Sequence, residues 1–168
     1  MKETTPGMLI ERLNLGKHPE GGYYRETYRS DVVFNAQAVS GGFSGHRCCS
    51  TGIYFLLKNK EFSTFHRIKA DELWHFYSGS CLIVHIIDPK GNYQDIHLGP
   101  DMDKGQVFQA LVPAGFWFAA SLLTENSYAL VGCTTAPGFE FEDFEMAERS
   151  SLIADYPHLA DLITQYTR

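Results

Sequence analysis

The stretch FHRIKADELWHFYSG, residues 65–79, sets an imidazole at His66 and a carboxylate at Glu72 on either side of a polar turn, and ends on Gly79. Histidine gains and loses its proton near neutral pH, and an adjacent glutamate can orient the ring or exchange a proton with it. The same two residue types ligate metals. Two protein ligands are one short of the three that open catalytic sites generally use. The position that would extend the set, two residues after His66, holds the aliphatic Ile68. The stretch therefore poses a choice between a reduced metal site and a pocket that works without metal.

Other residues could join such a site. In HPEGGYYRETYRS, residues 18–30, strand alternation places Tyr23, Arg25, Thr27 and Arg29 on one face and Tyr24, Glu26 and Tyr28 on the other. The guanidinium groups of Arg25 and Arg29 suit a phosphate or carboxylate. His75 and His85 are the nearest substitutes for a missing metal ligand, but His75 is out of phase with Glu72, Trp74 and Phe76 and should point the other way. The four cysteines include the adjacent pair Cys48–Cys49 and no C-x-x-C; vicinal cysteines in a strand face opposite sides, so HRCC (residues 46–49) is read as reduced thiols rather than a metal site. FEFEDFE, residues 139–145, reads as an edge strand with a solvated acidic face. The glycines of HPEGG, VPAG and APGF read as turn residues, and no spacing makes a phosphate-binding loop.

These residues need elements to hold them. Residues 50–57, 61–68, 73–79, 81–87, 92–99, 107–115, 116–123 and 127–135 are short runs rich in β-branched and aromatic residues, separated by turn signals such as Asp88-Pro89-Lys90-Gly91-Asn92. No helix-length pattern intervenes, so the strands should pair antiparallel in a sandwich or barrel over about residues 23–135. Thr5-Pro6 opens a short helix over about 6–13, with Gly16 as its stop, and a small-residue loop covers 38–47. A helical tail is expected over about 145–167, and the 168 residues are read as a single domain. Twelve Phe, nine Tyr and 15 Gly fit a sheet protein, and the net charge of -6 argues against nucleic acid or anionic membrane as partners. With no signal-peptide or membrane-length apolar run, the expected location is the cytoplasm.

The ordered blocks HPEGGYYRETYRS, STGIYFLL, HRIKADELWHFYSG, VPAGFWFAA and APGFEFEDFE resemble an uncharacterised cupin family with a sugar-epimerase-like (RmlC-like) barrel. The resemblance implies an all-β jelly-roll barrel with short helices at both ends. His66, Glu72 and Gly79 match the first cupin motif and Pro113-Ala114-Gly115 the second, while Ile68 and Phe118 stand where metal-binding cupins carry histidines. No cofactor is therefore expected; a residual metal would rest on His66 and Glu72. Matching the barrel wall, Thr64, His66, Ile68, Glu72, Trp74 and Phe118 should share one lumen, apolar with a few placed polar groups. Tyr23, Arg25 and Gln109 are further pocket candidates, and Trp117, opposite in phase to Phe118, should pack elsewhere. His66 next to Glu72 would have its pKa raised by the negative neighbour; the pair acts either as general base with its orienting group or as a satisfied hydrogen bond in a packed barrel. The implied activity is isomerisation or epimerisation of a sugar-like or carbonyl compound, with His66 as base and Tyr54 or Tyr128 as acid. The alternatives are a metabolite-binding or sensing module and a metal-dependent enzyme with a reduced ligand set. A small polar or anionic ligand is expected. So is a homodimer, in which Arg25 either clamps substrate or pairs with a residue such as Glu26 of the partner subunit.

Overall fold

The alternating runs of the sequence form strands, as the computed structural model shows for residues 4–35 and 42–168. Residues 38–41 of the small-residue loop lie outside the described residues. Helix α1 (Pro6–Arg12) starts as expected, with the Thr5 side chain accepting from the Met8 N–H and Pro6 in the first turn. Its stop is not Gly16: Leu13 caps the helix, Asn14 takes a left-handed φ of 50°, and Gly16 already belongs to a strand.

The strands are β1 (Gly16–Lys17), β2 (Tyr23–Arg29), β3 (Val33–Asn35), β4 (His46–Cys48), β5 (Thr51–Lys58), β6 (Phe62–Ile68), β7 (Asp71–Gly79), β8 (Leu82–Ile87), β9 (Tyr93–Leu98), β10 (Gln109–Val112), β11 (Trp117–Leu122), β12 (Tyr128–Ala136) and β13 (Phe144–Met146). A six-stranded sheet in the order β1-β2-β5-β12-β7-β10 faces a five-stranded sheet in the order β13-β6-β11-β8-β9, and β3 pairs with β4. All strand pairs are antiparallel. The short strands form the antiparallel double sheet that their pattern implies, the all-β jelly-roll expected from the resemblance.

The core between the sheets follows strict alternation. Leu82, Val84 and Ile86 of β8, Phe118 and Ala120 of β11, and Phe55, Leu57, Trp74 and Val131 from the opposing sheet form one buried cluster. The outer face of the five-stranded sheet is covered by α2 (Arg149–Asp155) and α3 (Ala160–Gln165), whose Leu152 and Ile163 pack on Phe65 and Trp117. Trp117 thus packs under the tail helices, out of phase with Phe118.

FEFEDFE is a different object from a solvated edge strand. Phe141–Asp143 makes one 3-10 turn before β13 pairs with β6. Asp143, 6% exposed, accepts two hydrogen bonds from Arg47, 3% exposed, at 2.7 and 3.0 Å. This buried pair, with Phe139 N–H donating to Thr51 Oγ1 at 3.0 Å, fastens the segment across one end of the barrel. Arg47 also pairs with the more exposed Glu142, so replacing Asp143 by Ala removes the buried, bidentate partner of the guanidinium and costs about 3 kcal/mol. Denaturant unfolding of D143A should show that loss; a change below about 1 kcal/mol would show that the pair does not hold the segment.

Candidate functional site

At that end the two sheets enclose a cavity of about 310 Å³. The six-stranded sheet contributes Tyr24, Glu26 and Arg29 of β2, Thr51, Ile53 and Phe55 of β5, Glu72 and Trp74 of β7, and Cys133 and Thr135 of β12. From the other side come His66 and Ile68 of β6, with His18 and Glu20 from the turn before β2 and Phe139, Glu140, Phe141 and Phe144 across the mouth. His66, Ile68, Glu72 and Trp74 are therefore brought together as expected. Phe118 lies behind the wall, fully buried, its ring centroid 4.0 Å from that of His66.

Six expected pocket residues are elsewhere, for identifiable reasons. β6 carries a bulge: between the pairs Phe118–His66 and Ala120–Ser63 it advances three residues while β11 advances two. Ser63 consequently turns inward and Thr64 outward, where its hydroxyl donates to the Tyr166 carbonyl at 2.9 Å. A second bulge in β2, between Glu26 and Tyr28, brings Arg29 to the face of Tyr24 and Glu26. Tyr23 and Tyr54 belong to the cluster around Leu15, Leu56 and Leu130, and the Arg25 guanidinium lies over the Tyr54 ring, outside the cavity. Gln109 bonds His75 Nδ1 at 3.0 Å on the outer face of the sheet. Tyr128 is at the far end of β12, against Gly79. His75 points outward as its phase requires, and His85 is engaged by Tyr93 and Ser121 on the helix-covered face.

The larger correction concerns who stands beside His66. Its Nε2 lies 3.1 Å from Oε2 of Glu20, not against Glu72. Nδ1 lies 2.7 Å from the Thr64 carbonyl, which can only accept, so Nδ1 carries the proton and Nε2 presents a lone pair. Glu20 Oε2 must then donate. The contact has the length of an ion pair, but burial of both groups favours their neutral forms. The His66 pKa is lowered to about 3 by burial, against the upward pull of the Thr64 carbonyl. Glu20 is raised well above the carboxylate range by burial and by the Glu72 charge. A neutral acid–imidazole pair sharing one proton is the result. The expected rise in the His66 pKa is thus a fall, because desolvation outweighs any negative neighbour.

Glu20 is held on every side. Ser63 Oγ donates to Oε1 at 2.9 Å, and the Glu20 carbonyl accepts from Thr64 N–H at 2.9 Å. His18 Nδ1 accepts from the Glu20 N–H at 3.4 Å and sits 3.3 Å from Oε2. His18 is itself lowered to about 4 by burial. The two glycines that follow let the turn fit: Gly22, at φ 71°, has room for no Cβ between the Leu57 side chain and the Leu56 carbonyl. Sequence reasoning treated HPEGG as a turn and missed His18 and Glu20. The available signal was two titratable residues inside a turn whose paired glycines imply close backbone packing.

Glu72 stands on the opposing sheet, 9% exposed. Its neighbours are neutral: the Cys133 thiol, pushed up by burial, and the Trp74 indole, whose buried N–H faces the carboxylate without closing a well-formed hydrogen bond. Desolvation raises Glu72 to about 7. The one arginine at the cavity, Arg29, is fully engaged, by Glu26 at 2.9 and 3.1 Å, Glu140 at 2.6 Å and the Phe139 carbonyl at 3.1 Å. The anion clamp expected of Arg25 and Arg29 is therefore not formed.

The arrangement also tests the fit of a metal. His66 and Glu72 are on opposing sheets, both His66 nitrogens are engaged, and Ile68 and Phe118 offer no donors. Among the described residues no three His, Cys, Asp or Glu side chains are grouped to hold an ion. The donor set does not fit one.

Residues 7–147 match the family described as Cupin superfamily (DUF985). The chain belongs to the cupin superfamily. It is similar to the uncharacterised protein YML079W of Saccharomyces cerevisiae, 32% identical over 144 residues that cover 80% of this chain and 71% of the relative. A crystal structure of protein SO0799 from Shewanella oneidensis superposes with a TM-score of 0.89 at 37% identity, covering 99% of both chains. A hypothetical protein from Leishmania major does so at 0.89 and 32%, covering 98% of this chain and 99% of that one. Oxalate decarboxylase of Bacillus subtilis is a more distant neighbour, at TM-score 0.54 and 16% identity over 89% of this chain and 36% of that one; the likeness is one of fold. No helix among the described residues is long and apolar enough to cross a membrane.

The raised Glu72 pKa has a signed consequence. Its folded value near 7 lies above the ordinary 4.5, so the folded state binds the proton more tightly and loses stability as pH rises from about 4.5 to 7. Between pH 5 and 8 the loss amounts to about 2 to 3 kcal/mol. Glu72→Gln should remove that slope, so its unfolding free energy gains on wild type by that amount over the interval. Parallel slopes for the two proteins in denaturant titrations would show that Glu72 titrates normally.

Proposed function

We propose that this cupin binds a small polar organic molecule in the barrel cavity and moves a proton on it, as an isomerase or epimerase of a sugar-like or carbonyl compound. One observation carries the reading: two protonatable sites of opposite character stand on opposing walls of one cavity. Glu72 titrates close to neutrality, where a group can both take and return a proton. Across the cavity Glu20 holds a proton against the His66 lone pair. Pairs of titratable groups whose surroundings separate their proton affinities are a recurrent acid–base arrangement.

In this reading Glu72, as carboxylate, takes the proton from a carbon next to the substrate carbonyl. Glu20, as acid, delivers one from the other side, and exchange with water at the mouth resets both. The base role first assigned to His66 passes to Glu72, because His66 has no free lone pair to offer. His66 becomes a positioning residue that fixes where the Glu20 proton lies.

The experiment is hydrogen exchange in D₂O. Hydroxy-carbonyl compounds and sugars are incubated with the protein, and loss of the α-proton signal is followed by NMR. We expect protein-dependent exchange for one structural class, reduced about 100-fold or more in Glu72→Gln. In His66→Asn, exchange should persist with a shifted pH profile. Exchange unaffected by Glu72→Gln would refute the assignment. Saturable binding without exchange would favour a binding or sensing module.

We further propose a homodimer. The reason is an exposed face of the barrel. It is the outer face of the six-stranded sheet, where Tyr28, Tyr77 and Leu111 stand about half exposed, at 54%, 51% and 48%. Burying such rings against their own copy fits an isologous interface. Light scattering at micromolar concentration should give twice the 18.9 kDa chain mass; the monomer mass would exclude the dimer.

A further inference from the structure

The charge balance of the cavity points to one class of ligand. Four carboxyl groups line it, Glu20, Glu26, Glu72 and Glu140, against the single guanidinium of Arg29, which Glu26 and Glu140 already hold. Glu20 is occupied by its shared proton with His66. Glu72 is the group left over: nine-tenths buried, open to the cavity, with no cation among its neighbours and only weak neutral donors, Cys133 and Trp74, beside it. The buried indole N–H of Trp74 is itself without a partner.

The apolar part of the wall is mostly aromatic, with Ile53 and Ile68 as its aliphatic members. Phe55 and Trp74 meet edge to face at 5.7 Å in the depth, and Tyr24, Phe139, Phe141 and Phe144 line the mouth. Aromatic faces carry negative charge density and attract organic cations, the more so when both are desolvated. A buried carboxylate beside such faces repels anions for the same reason. A neutral polyol would satisfy the carboxylate but gain nothing from the rings beyond burial.

We propose that the ligand carries a cationic nitrogen, an ammonium group lodged against Glu72 with its carbon frame on the aromatic wall. This rests on the cavity being the ligand site, not on the chemistry performed there.

Three probes of one shape and different charge test it: benzylamine, benzyl alcohol and benzoate, titrated by calorimetry at pH 7 into the full chain. We expect one benzylammonium per chain, bound at least tenfold more tightly than the alcohol, with benzoate weakest. Nuclear Overhauser contacts from the probe methylene to the Trp74 indole should place it in the cavity without recourse to a variant. Glu72→Gln, checked for native melting, should abolish the preference for amine over alcohol while leaving the alcohol affinity within about twofold. Equal binding of amine and alcohol, or tightest binding of benzoate, overturns the cationic ligand and leaves the cavity as a binding site. Failure of all three to bind overturns both.

Discussion

The site depends on a single buried carboxyl, Glu20. It reaches the barrel interior because the HPEGG turn runs against the beginning of β6, with Thr64 N–H bonded to the Glu20 carbonyl and Ser63 to its side chain. The bulge in β6 makes this possible. By inserting one residue between Ser63 and His66, it presents a hydroxyl and an imidazole to the same carboxyl while Thr64 and Phe65 turn to the helices outside. A regular strand would put Thr64 rather than Ser63 on the face of His66.

The fold was legible because it rests on period-two alternation and turn chemistry, which are local. Glu72, Trp74 and Phe76 inside with His75 outside, Trp117 opposite Phe118, and the N-cap at Thr5 all follow from neighbours in sequence. The site was legible only in part, because two of its features are departures from that period. The bulge between Glu26 and Tyr28 swaps the exposure of Arg29, and the one in β6 swaps Thr64 for Ser63. Strand alternation extrapolated across either point assigns the wrong face. The FEFEDFE segment failed differently. Its phenylalanines alternate as in an edge strand, but the 3-10 turn at Phe141–Asp143 gathers Phe139, Phe141 and Phe144 at the cavity mouth. Its acid Asp143 meets a buried arginine more than ninety residues earlier in the chain. Contacts of that separation leave no local trace.

The pairing of His66 with Glu20 rather than Glu72 shows why spacing alone misleads about chemistry. His66 and Glu72 are six residues apart but on opposing sheets, since the turn at Lys69–Ala70 carries the chain from one wall to the other. Proximity in sequence thus becomes opposition in space. The Glu72 charge adds to burial in raising the proton affinity of Glu20, while Glu72 itself is raised by burial. The imidazole sits with only one of them. The asymmetry of the two walls follows from that placement.

Ile68 and Phe118 then take on a physical meaning beyond offering no donor to a metal. Phe118 packs against His66 with the two rings tilted by 56° and is fully buried, and Ile68 lines the cavity at 5% exposed. Histidines at these positions would hydrate the wall and supply competing hydrogen bonds. The desolvation that holds His66 neutral, keeps the proton on Glu20 and lifts Glu72 towards neutrality would then weaken together. An apolar wall and perturbed carboxyls are one device, because burial without a compensating charge is what shifts the proton affinities. The apolar residues at the two positions where metal-binding cupins carry histidines are therefore part of the burial that raises the proton affinity of Glu20 and Glu72.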